Sequence, residues 1–159
     1  MMEVRVEQDN QNNQKETQMK KETGKEAHIT APLTFGVLWW LIGYAMLGLV
    51  VLLSLMPSPP MVIEFDFADK IEHFLTYGML MGWFTQLVGR TDSQTVWCIG
   101  LILMGTGIEF LQAWGGIRYF ETLDMLANTI GVLVGWVLSR TLFKDMLYRI
   151  DQQMKKHMK

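Results

Sequence analysis

Asp69-Lys70-Ile71-Glu72-His73-Phe74-Leu75-Thr76-Tyr77-Gly78 opens an apolar segment that runs on to Val88. It places acid, base and imidazole at the head of a run long enough to cross a bilayer. Ionisable side chains inside a membrane are costly, so each calls for a partner or a function. The reading of the chain turns on which partners the other segments supply, and on which side of the membrane.

Outside this stretch the charges are crowded into the first thirty positions, the last twenty and a few short gaps. Half of the 159 residues are hydrophobic, and long uncharged runs remain. A run of about 20 apolar residues matches the roughly 30 Å hydrocarbon core of a bilayer. A net charge of −2 gives no field suited to nucleic acid, so none is expected as a partner. The single cysteine, Cys98, excludes an intrachain disulfide framework and a cysteine-only metal cluster.

Residues 1–31 are polar and rich in Gln, Asn, Glu and Lys. They bury too little surface to offset ordering entropy and are predicted to form a disordered tail. No secretory signal is expected, since no small-residue cleavage site follows the first apolar run. That run, from about Leu33 to Met56, carries no charge and is the first predicted span; Pro57-Ser58-Pro59-Pro60 ends it. Glu64, Asp66 and Asp69 follow in an acidic loop, with Asp66 placed to cap the second span, Phe67 to Val88. A polar turn, Gly89 to Ser93, leads to a third span from Thr95 to Trp114, closed by Gly115-Gly116. A loop with Arg118 and Glu121 precedes a fourth span, Leu123 to Phe143. The expected fold is all-α and polytopic: a four-helix membrane domain over residues 32–143 and a basic tail over 144–159. Part of that tail, Lys144 to Ile150, reads either as a short amphipathic surface helix or as a frayed end.

With four spans, Lys20, Lys21, Lys25, Arg90 and the basic residues of the tail fall on one side, and only Lys70 and Arg118 on the other. The positive-inside rule then puts both termini in the cytoplasm. The second helix enters from outside with Lys70 at the interface, His73 about 4–5 Å deeper and Tyr77 about 10 Å deeper. These three share a face, and Glu72 points away from it. The third helix brings Glu109 and Gln112 to the same level, with Gly105 below them. The fourth begins there with Asp124 and Asn128, leading into Gly131 and Gly135, a small-xxx-small pattern that lets helix backbones approach. A polar cluster inside the bundle, open to the outer leaflet, is expected.

Three chemistries suit such a cluster. Lys70 and Arg118 can clamp an anionic headgroup, aided by Gln112, Asn128 and Tyr77. His73, oriented by Glu109 or Asp124, can act as a general base. The same histidine and two carboxylates can hold a divalent metal, but no HExxH or CxxC spacing supports that, so no cofactor is expected. Against all three stands interhelical glue, each bond of which is worth only about 1 kcal/mol.

Asp69-Lys70-x-x-His73-Phe74-x-x-Tyr77-Gly78, then Gly107-Ile108-Glu109-x-x-Gln112, then Arg118 and Asp124-x-x-Ala127-Asn128-x-x-Gly131 resemble the VanZ-like family of small bacterial membrane proteins. The resemblance spans the second to fourth helices. Family members commonly carry a serine shortly after the arginine, as a cap opening the fourth helix; here Glu121 stands near that slot, with Thr122 beside it as a cap instead. The resemblance implies a multi-pass protein of the bacterial inner membrane tied to the cell envelope. The family's namesake is associated with low-level resistance to the glycopeptide teicoplanin; no reaction is implied. The function expected is therefore binding or modification of an anionic envelope lipid or lipid-linked glycan headgroup, with catalysis left open. The alternative is a non-enzymatic assembly protein, with a homo-oligomer or envelope-assembly proteins as partners.

Overall fold

The computed structural model describes residues 14–15, 33–56, 68–89, 91–116 and 119–158. The chain divides into two units, Met1–Pro32 and Leu33–Lys159. In the first, Gln14 and Lys15 are helical and exposed; the tail predicted around them lies outside the described residues. So do the proline linker, the acidic residues Glu64 and Asp66, Arg90 and Arg118.

The second unit contains helices α1 (Gly36–Ser54), α2 (Ala68–Val88), α3 (Thr91–Trp114), α4 (Thr122–Arg140) and α5 (Met146–His157), and no strand occurs among its described residues. α1, α3 and α4 are long and apolar enough to cross a membrane. α2 has the length but carries Asp69, Lys70 and Glu72 in its opening turns. The unit's exterior suits hydrocarbon: Val37, Leu41, Leu52, Val96, Leu103 and Val137 all project outward, far more apolar surface than a water-exposed bundle leaves open. Several boundaries differ from expectation by up to about a turn, α1 running from Gly36 to Ser54 rather than from Leu33 to Met56. α3 starts a turn early, at Thr91, and α4 stops at Arg140 rather than Phe143.

α2 is the hub, touching each of the other four helices, with its widest interface against α4. Register shows these two to be parallel, since Lys70 meets Asp124, Phe74 meets Gly131 and Gly78 meets Gly135. A Cβ on Gly131 or Gly135 would sit well inside van der Waals contact of the carbonyl oxygens of Phe74 and Gly78, so the two backbones touch only because both positions lack one. α3 runs against α2, placing Gly105 beside Tyr77 and Gln94 beneath the Thr85 carbonyl. α1 also runs against α2, its first turns lying beside the end of α2, where Trp39 meets Trp83, and its last turn reaching Gln112 at the other end.

The middle of the bundle is closed by Tyr77, Leu80, Met81, Phe84, Leu101 and Val132, all buried. An aromatic layer flanks it, in which Phe84 stacks on Trp97 at 3.7 Å between centroids, with Trp40 and Tyr44 alongside. α3 ends at Trp114, and Gly116 takes φ +64° just beyond, the left-handed backbone that glycine accepts without strain.

The C-terminal segment is neither a frayed end nor confined to residues 144–150. α5 is a twelve-residue helix with Leu147 and Asp151 buried. Asp151 lies across the start of α1, where no side chain of α1 itself caps the helix. Its carboxylate accepts the backbone N–H groups of Thr34 (2.7 Å) and Phe35 (2.9 Å) and the indole N–H of Trp39 (2.8 Å). A negative charge at a helix N-terminus also meets the positive end of the macrodipole. α5 is held in turn by α2, whose Gln86 Oε1 accepts the Leu147 N–H at 2.7 Å.

Candidate functional site

The polar end of the bundle gathers the start of α2, the end of α3, the start of α4 and the last turn of α1. Helical repeat explains the local placement. On α2, Asp69, Lys70, His73 and Tyr77 fall on one stripe facing α4, and on α4 Asp124 and Asn128 lie one turn apart and look back. On α3, Glu109 and Gln112 share the inward face one turn from the helix end.

Lys70 sits among carboxylates. Its ammonium is 2.6 Å from Asp69 Oδ2 and 2.6 Å from Asp124 Oδ1, and also pairs with Glu121. Asp124 is almost fully buried, whereas Glu121 is half exposed at the mouth. Such an ammonium is already more than matched by opposite charge. Glu121 is the N-cap residue of α4 but makes no side-chain cap bond, and Thr122 begins the helix proper.

His73 Nδ1 lies 3.1 Å from Asn128 Oδ1 and Nε2 lies 3.7 Å from Asp124 Oδ2. The amide oxygen can only accept, so Nδ1 donates to it, and Nε2 faces the Asp124 side. Glu109 completes a triangle in which one ligand atom each from His73, Glu109 and Asp124 lie within 4.8 Å of one another. Glu109 and Asp124 are buried to within a few per cent, while His73 keeps some exposure towards the rim.

The remaining predicted residues form the walls. Tyr77 and Asn128 are both buried and fill the space opposite Gly105, where a Cβ would stand 2.9 Å from Asn128 Nδ2 and 3.1 Å from the Tyr77 ring. Gln112 donates to the Ser54 carbonyl at 2.6 Å, meeting one of the last backbone acceptors of α1. Gly131 and Gly135 lie on the α2–α4 seam. Arg118 is outside the described residues.

Asp69 partners Lys70 as its place beside it in the sequence suggests. Sequence reasoning overlooked Glu121, which joins Asp69 and Asp124 around Lys70, and the Ser54 carbonyl, which partners Gln112. A second polar network, at the opposite end, also escaped notice. There Gln94 donates to the Thr85 and Gly89 carbonyls (3.3 Å each) and accepts the Trp136 indole N–H at 3.0 Å. Asp151 was legible in part, for it stands one helical turn from Leu147 on an apolar face where a carboxylate is out of place.

A family model described as VanZ/LLP1 matches residues 2–144, which takes in the polar N-terminal segment and α1 as well as α2–α4. No curated protein and no solved structure matches the chain.

Proposed function

The chain belongs to the VanZ/LLP1 family, and on that footing we propose that it is a four-span protein of the bacterial cytoplasmic membrane that recognises an anionic envelope-lipid headgroup. Both termini face the cytoplasm, α2 crosses with α1, α3 and α4, and the polar end opens to the outer leaflet. The ligand is a lipid or lipid-linked glycan, which the site binds or modifies. Teicoplanin-type susceptibility would change through the supply of that lipid.

The observation that carries this reading is the meeting of His73, Glu109 and Asp124, from three different helices, beside a mouth formed by Lys70 and Glu121. With Nδ1 donating to Asn128, Nε2 is the ring atom placed to exchange a proton, and Asp124 stands beside it. Lys70 holds the carboxylates in register, which leaves Arg118, on the α3–α4 connection, to meet the anion with its planar fork. Beneath the site, buried Leu80, Met81, Phe84 and Val132 offer no polar continuation. That favours binding or chemistry over passage.

Replacement of the gene in its own host by Arg118→Ala or His73→Ala tests the reading. Loss of the envelope phenotype at wild-type membrane abundance supports it, and full function of both variants contradicts it. A second reading, a non-enzymatic assembly protein whose polar cluster is glue, is favoured by the Lys70 ion pairs and the Gln112–Ser54 bond, which tie all four helices. It predicts that the same substitutions lower abundance instead, as a membrane blot would read.

A further inference from the structure

We propose that His73, Glu109 and Asp124 form a divalent transition-metal site, through which the anionic headgroup is held. The metal claim stands on the geometry alone; only its ligand rests on the headgroup reading.

Two carboxylate triangles share Asp124. In one, Asp69, Glu121 and Asp124 already surround a cation, the Lys70 ammonium. The other consists of His73, Glu109 and Asp124. Asp124 thus joins a cation-bound carboxylate group to a second group, in which the buried carboxylates of Glu109 and Asp124 flank one imidazole.

The donor set is that of a metal rather than of a simple ion pair. His73 Nε2 and Asp124 Oδ2, 3.7 Å apart, are too distant for a hydrogen bond. Two donors bound to one zinc ion at about 2.0–2.2 Å stand roughly 3.4 Å apart in tetrahedral geometry, so the observed gap needs only a few tenths of an ångström of closure. The far nitrogen, Nδ1, donates to Asn128 Oδ1 at 3.1 Å, the outer-shell arrangement that fixes the tautomer of a metal-bound histidine. One imidazole and two carboxylates suit zinc or manganese. Three protein ligands leave coordination positions open, and His73, the partly exposed member, marks the side on which a phosphate oxygen can enter.

The test uses the purified full-length protein in phosphatidylcholine nanodiscs, stripped with chelator and titrated with Zn²⁺ alone and Mn²⁺ alone, bound metal being counted by elemental mass spectrometry. The wild type should take up one equivalent. His73→Ala, near the rim, and the isosteric Glu109→Gln should each weaken binding at least about 100-fold, beyond the range for an outer-shell change. Asp92→Asn, in the first turn of α3 at the opposite end of the bundle, should bind as the wild type does. Failure of the wild type to bind, wild-type affinity in both ligand variants, or loss in Asp92→Asn overturns the site. The titration is repeated with phosphatidylglycerol in the nanodisc and compared with His73→Ala to remove the bulk surface effect. Tighter binding there supports metal-mediated headgroup capture, because metal and lipid must strengthen each other equally. Equal binding in both bilayers leaves the metal site standing and contradicts the headgroup reading.

Discussion

Lys70 stands in the first turn of a largely apolar helix, and the structure explains its presence by what surrounds it. Asp69 comes from the same helix turn, while Glu121 and Asp124 come from the start of α4. Removing the ammonium leaves three carboxylates facing one another. Lys70→Met should therefore cost about 1–3 kcal/mol, the deep-pair value discounted for partial exposure and water at the mouth, and Lys70→Arg should cost much less. Thermal melting in detergent at neutral pH distinguishes the two variants. An unchanged midpoint for Lys70→Met would show that the carboxylates do not depend on this cation.

Among the elements, the α2–α4 seam and the α5 anchor make separate predictions. Gly135→Ala drives a methyl group into the Gly78 carbonyl, and backbone cannot yield as a side-chain tip does, so a loss of about 2–3 kcal/mol is expected. Gly48→Ala is the matched control, for nothing lies within 4 Å of the added carbon, and there helix propensity should give a neutral or slightly stabilising result. Melting midpoints of the two variants provide the comparison. At α5, burial pushes the Asp151 carboxyl upward, but hydrogen bonds from the Trp39 indole and the Phe35 and Thr34 backbone outweigh it and hold the group below its ordinary carboxylate range. A depressed folded value means that its stabilisation is complete above the unfolded value of about 4 and is lost as pH falls through the folded one. Hydrogen exchange over residues 146–157 should accelerate below about pH 4 in the wild type. In Asp151→Asn it should be fast already at neutral pH.

These elements also show where sequence legibility stops. The charge-free runs placed α1, α3 and α4 to within about a turn, because bilayer thickness imposes a length that composition reveals. Equal depth on three helices was enough to bring His73, Glu109 and Asp124 to one level, since helical rise is a constant. What it could not settle was which carboxylate faces Lys70, because rotation of α4 about its axis is set by the Gly131 and Gly135 contacts. The pairing of Asp151 with the start of α1 joins residues more than a hundred positions apart and leaves no periodic trace. Gln86 capping α5 is invisible for the same reason.

For the whole molecule, the proposed topology predicts opposite reactivity at its two ends. Cys98 is buried, so it does not compete with introduced thiols. In intact cells a membrane-impermeant maleimide should label Tyr119→Cys, beside the site, and should reach Met158→Cys only after permeabilisation. The reverse pattern would turn the site towards the cytoplasm and remove envelope lipids of the outer leaflet from consideration. The central claim, that the cluster at the head of α2 receives an anionic headgroup, is tested most directly by native mass spectrometry of lipids retained on the protein released from its own membranes. Wild type should carry a bound anionic lipid that His73→Ala and Arg118→Ala each lose while remaining folded. Retention of the same lipid at the same occupancy in both variants would contradict the account.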